Sequence, residues 1–269
     1  MRVALIQMNS RDDKAANLAR AETLLDEARV RGAELAILPE LFPYLGPRRR
    51  HPEVAEPIPG PTSERLGELA RRHRLWLVAG SYLEAVPGQE RLFNTSLAFD
   101  PVGAIVASYR KLHLFDVDVA WQAYRESATV TPGREVVTAE LAGVTVGLTI
   151  CYDLRFPELY RRLALRGARL ITVPSAFALE TGKDHWEVLL RARAIEQQVF
   201  ILAAAQVGTH APGRACYGHA MVVDPWGAVL ADAGDREGVV TAEIDLAYQE
   251  TVRKGLPALQ HLRHDLFAI

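Results

Sequence analysis

Apolar runs of strand length alternate with stretches of helical period from one end of the chain to the other. Runs at Val3–Met8, Leu35–Leu38, Leu75–Tyr82, Leu92–Phe99, Ala104–Tyr109, Val144–Ile150, Leu170–Pro174, Phe200–Ala205, Met221–Asp224 and Val239–Ile244 predict strands. Helical spacing predicts a helix over Lys14–Arg31, where Leu18, Ala21, Leu25 and Ala28 fall on one face. Further helices are predicted over Thr62–Arg74, with Thr62 or Ser63 as N-cap, and over Pro157–Arg166 and Asp184–Gln198.

Two turns share one design. Asp100-Pro101-Val102-Gly103 and Asp224-Pro225-Trp226-Gly227 both lie between strand-like runs. Asp at i, Pro at i+1 and Gly at i+3 are the preferences of a type I turn, so each predicts a hairpin. Antiparallel pairs then stand beside parallel crossovers, which makes the sheets mixed. The expected class is α/β, with two mixed sheets packed face to face and helices outside. No linker or repeat divides the chain, and 1–269 reads as a single domain.

Composition narrows the partners. Of 269 residues, 24% are charged and 49% hydrophobic, which fits a globular chain, and the formal net charge is −2. That balance gives no electrostatic reason to expect nucleic acid or an anionic membrane. No apolar run approaches the ~20 residues of a membrane span. Cys151 and Cys216 are the only cysteines, too few for a disulfide framework, so a reducing, cytoplasmic setting is expected.

Three strand ends carry candidate chemistry. Leu35-Ala-Ile-Leu-Pro-Glu40 delivers a carboxylate, Ser108-Tyr-Arg-Lys111 an ammonium, and Val144–Ile150 runs into Cys151 just before Pro157 opens a helix. Each alone has a bland alternative: a solvated glutamate, a basic strand end, a buried structural cysteine. Together they match a mechanism. A thiol gains nucleophilicity from an adjacent base, glutamate can take its proton and return it to a leaving amine, and lysine can hold an oxyanion.

The chain resembles the nitrilase superfamily of carbon–nitrogen hydrolases, from Val3 to about Phe267. The resemblance is carried by Leu38-Pro-Glu-Leu-Phe42, Tyr109-Arg-Lys-Leu-His-Leu-Phe-Asp116, Cys151-Tyr-Asp-Leu-Arg-Phe-Pro-Glu158, His185–Glu196 and Tyr217–Gly227. It is strongest to the Nit branch, which includes omega-amidase and deaminated glutathione amidase. The resemblance implies a four-layer αββα sandwich that dimerises, with the tail 254–269 packing at the interface. It also implies that Glu40 is the general base, Lys111 the oxyanion-stabilising lysine and Cys151 the nucleophile. Glu126 matches a second glutamate that orients the lysine, and the Tyr152 N–H matches an oxyanion donor. The implied activity is hydrolysis of a small primary amide through a cysteine thioester, with deaminated glutathione or a related α-keto acid amide as substrate. Rival readings are a carbamoyl-amine hydrolase, a nitrilase, a glutaminase, or a non-catalytic dimer on the same fold.

Other residues are less defined. Arg155 is placed either to grip a substrate carboxylate or to pair with Asp153 or Glu158. Arg48-Arg49-Arg50 reads as a solvated loop. Phe177 and Thr181 follow a strand end and are candidates to line the pocket, whereas His185, Trp186 and Glu187 are as well explained by packing. Cys216 reads as core or interface packing rather than as a thiol–imidazole pair with His219. The sequence has no zinc motif, P-loop or dinucleotide fingerprint, so no metal and no cofactor are expected.

Overall fold

Alternation in the first strand, β1 (Arg2–Gln7), sets the layering. Val3 and Leu5 pack in a core shared with the second half of the chain, while Ala4 and Ile6 pack against helices. The computed structural model describes residues 1–119, 122–210, 214–263 and 265–266. After β1 come α1 (Lys14–Val30), β2 (Leu35–Ile37), α2 (His51–Val54), α3 (Pro61–His73), β3 (Trp76–Val78), β4 (Tyr82–Glu84), β5 (Phe93–Phe99) and β6 (Ile105–Arg110). A ribbon of β7 (Asp116–Val119) and β8 (Gln122–Arg125) leads to β9 (Thr138–Leu141), β10 (Val144–Leu148), α4 (Pro157–Leu165) and β11 (Leu170–Thr172). Then follow α5 (Leu179–Gln197), β12 (Phe200–Ala203), a ribbon of β13 (Val207–Thr209) and β14 (Ala215–Tyr217), β15 (Met221–Val223), β16 (Val229–Asp232), β17 (Gly238–Glu243) and α6 (Leu246–Gly255).

The first sheet runs β17-β1-β2-β3-β5-β4, with β6 also on β5; the second runs β16-β15-β12-β11-β10-β9. Each has a parallel centre, β1-β2-β3 or β10-β11-β12, flanked by antiparallel strands. Both predicted hairpins form. Asp100 Oδ1 accepts from Val102 and Ala104 N–H at 3.0 and 2.8 Å, and Asp224 Oδ1 accepts from Trp226 and Ala228 N–H at 2.9 Å each.

Helices cover the outer faces. Leu24, Leu25 and Ala28 of α1 and Leu66, Leu69 and Ala70 of α3 bury against Ala36 and Leu77. Each fully buried leucine there contributes about 1.5–3 kcal/mol relative to exposure. On the second sheet Gly147 faces α4, since an added Cβ would lie 3.0 Å from Leu163 Cδ1. Alternation therefore turns Val146 and Leu148 toward the first sheet, giving four layers: helices, sheet, sheet, helices.

Some boundaries move. The run predicted over Leu75–Tyr82 is two strands, β3 and β4, because the chain turns at Gly80 with φ +52°, and a Cβ there would lie 2.0 Å from the Pro39 carbonyl oxygen. Helix α3 starts at Pro61, not Thr62. Gly60 is its N-cap, and Ser63 Oγ accepts from the Gly60 N–H at 2.8 Å. Helix α5 starts at Leu179 rather than Asp184. Within the tail 254–269, residues 264 and 267–269 lie outside the described residues. Among the described residues no helix is long and apolar enough to cross a membrane.

Candidate active site

Strands β2, β6 and β10 run out into one cleft, where Glu40, Lys111 and Cys151 are 3%, 2% and 7% exposed. Lys111 Nζ donates to Glu40 Oε1 at 2.8 Å and to Glu126 Oε2 and Oε1 at 2.9 and 3.2 Å. Asn94 on β5 donates from Nδ2 to the same two carboxylates, at 2.9 Å to Glu40 and 3.3 Å to Glu126. Backbone N–H groups complete the set: Ala176 to Glu40 Oε2 at 2.8 Å and Phe115 to Glu126 Oε2 at 2.7 Å. With both glutamates ionised, the two carboxylates and one ammonium leave one excess negative charge, and these neutral donors face it.

Cys151 sits at the turn between β10 and a short 3₁₀ segment, Cys151–Arg155, with φ +47°. A non-glycine residue in the left-handed region costs about 1–3 kcal/mol and persists only where its surroundings hold it. Asp153 provides that hold. Fully buried, it accepts from the Ile150 N–H at 2.9 Å, the Tyr109 hydroxyl at 2.6 Å and the His113 N–H at 3.0 Å, and it contacts His113 Nδ1 at 2.7 Å. One carboxylate thus ties the cysteine turn to the segment that carries Lys111.

Electrostatics set the resting protonation. Burial pushes the Cys151 thiol well above its usual range, and the Glu40 carboxylate reinforces this against the opposing pull of Lys111. Burial opposes the Lys111 charge, but the Glu126 and Glu40 carboxylates outweigh it and hold the ammonium well above the ordinary lysine value. The site at rest therefore holds a neutral thiol, a fixed cation and a carboxylate beside the thiol. Such a set can move the thiol proton to Glu40 as the sulfur attacks a carbonyl, with the ammonium ready for developing negative charge.

Glu126, Tyr152, Phe177 and Thr181 line the same cleft. Arg155 does not line it. Its guanidinium lies 3.3 and 3.4 Å from His185 Nδ1 and stacks over Phe177 and Tyr152 at 5.3 and 5.8 Å. Neither predicted partner holds it: Asp153 is saturated by Tyr109, Ile150 and His113, so it has no role left for Arg155. The arginines on the cleft wall are instead Arg48 and Arg214. The expectation of a solvated Arg48-Arg49-Arg50 loop is corrected for Arg48, which is half-buried, lines the cleft and donates to the Arg125 carbonyl at 2.8 Å, whereas Arg49 is exposed. Trp186 is fully buried, with Nε1 donating to the His219 carbonyl at 2.8 Å, so it packs. Cys216 is buried on the cleft wall, while His219 pairs with Asp232 at 3.0 Å.

Sequence reasoning missed Asn94, Asp153, His51, His210 and Arg214. A signal existed for Asn94, because Asn94-Thr95-Ser96 interrupts the apolar run of a wholly buried strand. Among the described residues no group of three His, Cys, Asp or Glu side chains is arranged to hold a metal.

Comparison with known proteins bears on this geometry. The chain is 45% identical over 263 residues to a deaminated glutathione amidase of Synechocystis, covering 96% of each chain. It is 40% identical over 269 residues to human omega-amidase NIT2, covering 100% of this chain and 97% of that one. A variant of the amidase from Nesterenkonia sp. AN1, with the acetamide moiety of fluoroacetamide added covalently at its active-site cysteine, superposes with a TM-score of 0.83. The identity there is 30%, over 99% of this chain and 95% of that one. The carbon-nitrogen hydrolase family model matches residues 2–254. On these grounds the chain belongs to the carbon-nitrogen hydrolase family and is a cysteine-dependent amidase, a hydrolase of carbon–nitrogen bonds.

Proposed function

We propose that Cys151, Glu40 and Lys111 hydrolyse the amide bond of a small α-keto acid amide, deaminated glutathione or a related primary amide. Cys151 Sγ attacks the amide carbon while Glu40 accepts the thiol proton. Lys111 and the Tyr152 N–H hold the oxyanion, and Glu126 orients Lys111. Collapse breaks the C–N bond, Glu40 returns the proton to nitrogen, and the amine (ammonia from a primary amide) departs, leaving a thioester on Cys151. Water, deprotonated by Glu40, then attacks the thioester, releasing the carboxylic acid and restoring the thiol. The observation that carries this reading is the 2.8 Å contact between Lys111 Nζ and Glu40 Oε1 in the buried cleft that also holds Cys151. The substrate class rests on the names of the similar amidases.

The test is product release from a panel of deaminated glutathione (read as cysteinylglycine) and α-ketoglutaramate, a nitrile and an N-carbamoyl amine (read as ammonia). We expect the two keto-acid amides to lead, with deaminated glutathione first. Preference for the nitrile or the carbamoyl amine would overturn the substrate class. We further propose that the whole chain is one catalytic unit that works as a homodimer in the cytoplasm, its tail 254–269 packed across the two-fold. Two free thiols suit that compartment. A fully active monomer by light scattering at micromolar concentration would count against the assembly.

A further inference from the structure

Lys111 is not the only cation on the cleft wall. Arg48 and Arg214 also line it, and among the described residues neither forms an ion pair with a carboxylate. Arg48 donates to one backbone carbonyl, and Arg214 lies over the Tyr124 ring at 5.4 Å. Two imidazoles share this wall. His51 is 9% exposed with a buried Nδ1 that has no hydrogen-bond partner. His210 Nδ1 lies 2.8 Å from the Ser10 carbonyl, and its buried Nε2 is likewise unpartnered.

We propose that Arg48 and Arg214, with His51 and His210, form a subsite for a carboxylate on the tail of the amide substrate. The inference rests on the amidase reading and names the feature that selects among amides. The nearby acids are already engaged: Glu126 by Lys111 and the Phe115 N–H, and Asp116 by the Ser127 N–H. Glu180 is exposed. Neither guanidinium is therefore held by a carboxylate in direct contact, although Glu40 and Glu126 line the same cleft. Burial, then Arg48 and Arg214, lower His51 to about 4, so its imidazole is neutral at neutral pH and can offer an N–H without adding charge. Arg48, His51, His210 and Arg214 all line this one cleft. A guanidinium fork matches a carboxylate in two parallel bonds, whereas an ammonium meets it as a point charge. The rest of the lining includes Leu41, Leu83 and Phe115, which suits a short methylene chain between the two polar ends.

The test compares two amides of equal length, glutaramate and its methyl ester, on the wild type, Arg48→Gln, Arg214→Gln and the double variant. The readout is the ratio of kcat/KM for the anion to that for the ester. We expect each single variant to lower the ratio roughly 10- to 100-fold, as loss of a charge-assisted hydrogen bond should. Arg48→Lys, which keeps the charge and loses the fork, should fall between, and it serves if the glutamine variant folds poorly. Calorimetric binding of glutarate should weaken by a comparable factor in the double variant. An unchanged ratio in the double variant, or equal losses on both amides, would overturn the subsite. Absence of turnover of any amide by the wild type would instead sink the amidase reading, and glutarate binding would still decide the subsite.

Discussion

Replacing Lys111 with methionine keeps most of the apolar stem and deletes the ammonium, which makes three contacts of 2.8, 2.9 and 3.2 Å with two carboxylates. What remains is a pair of buried glutamates joined only through Asn94 Nδ2, at 2.9 and 3.3 Å. Removing one partner of a buried ion pair costs about 3–5 kcal/mol, because it strands the other charge. At about 2–4 °C per kcal/mol for a chain of this size, the melting temperature should drop by roughly 6–20 °C. The cheapest relief is a proton shared by the two carboxylates. The folded variant then binds a proton that the unfolded chain releases, so its stability should rise as pH falls from about 8 toward 5. Adding Glu126→Gln should recover most of the stability and none of the activity. Turnover should fall by about 10²–10³ from loss of the oxyanion contact. Urea unfolding at the two pH values, with ammonia release as the activity assay, measures all of this. A loss below about 1 kcal/mol with no pH dependence is what a solvent-exposed pair gives, and it would refute the buried-network account.

Two further outcomes follow from the same geometry. Asp153→Asn leaves one oxygen and an amide to meet donors that now use both oxygens, so at least one donor faces another. The variant should lose about 3–5 kcal/mol of stability, and kcat should fall while KM for a small amide changes little; normal kcat would remove Asp153 from the positioning of Cys151. His51, lowered from 6.5 to about 4, is neutral when folded where the unfolded chain already takes a proton. Stability is therefore full above about 6.5 and is lost as pH falls through this window. His51→Phe should flatten the decline in melting temperature between pH 7 and 5, and an unchanged slope would contradict the assignment.

The sequence makes the three strand ends legible because each is a short apolar run that stops at a polar residue. Such a run can bury only as an inner strand, and its end is fixed to within a residue or two. The Asp-Pro-x-Gly turns are legible for a local reason, since Asp100 and Asp224 satisfy the turn N–H groups within four residues. Tertiary contacts decide what is not legible. Gly80 breaks a strand because the Pro39 carbonyl comes against it, and the early turn of α5 packs Gly182 so tightly on Tyr217 that an added Cβ would lie 2.3 Å away. Neither neighbour is close in sequence, and glycine within a helix reads locally as a breaker. Arg48 and Arg214 come from loops 166 positions apart, and only the folded cleft brings them to one wall. Asp153 is two residues from Cys151, yet its partners Tyr109 and His113 are about 40 positions away.

The central claim is that Cys151 Sγ forms the bond to substrate carbon. Acid-quenching the enzyme during turnover of a slow amide, followed by peptide mapping by mass spectrometry, tests it directly. The account predicts an acyl adduct on the peptide that contains Cys151 and none in Cys151→Ala. An adduct on Cys216, or full turnover by Cys151→Ala, would contradict it.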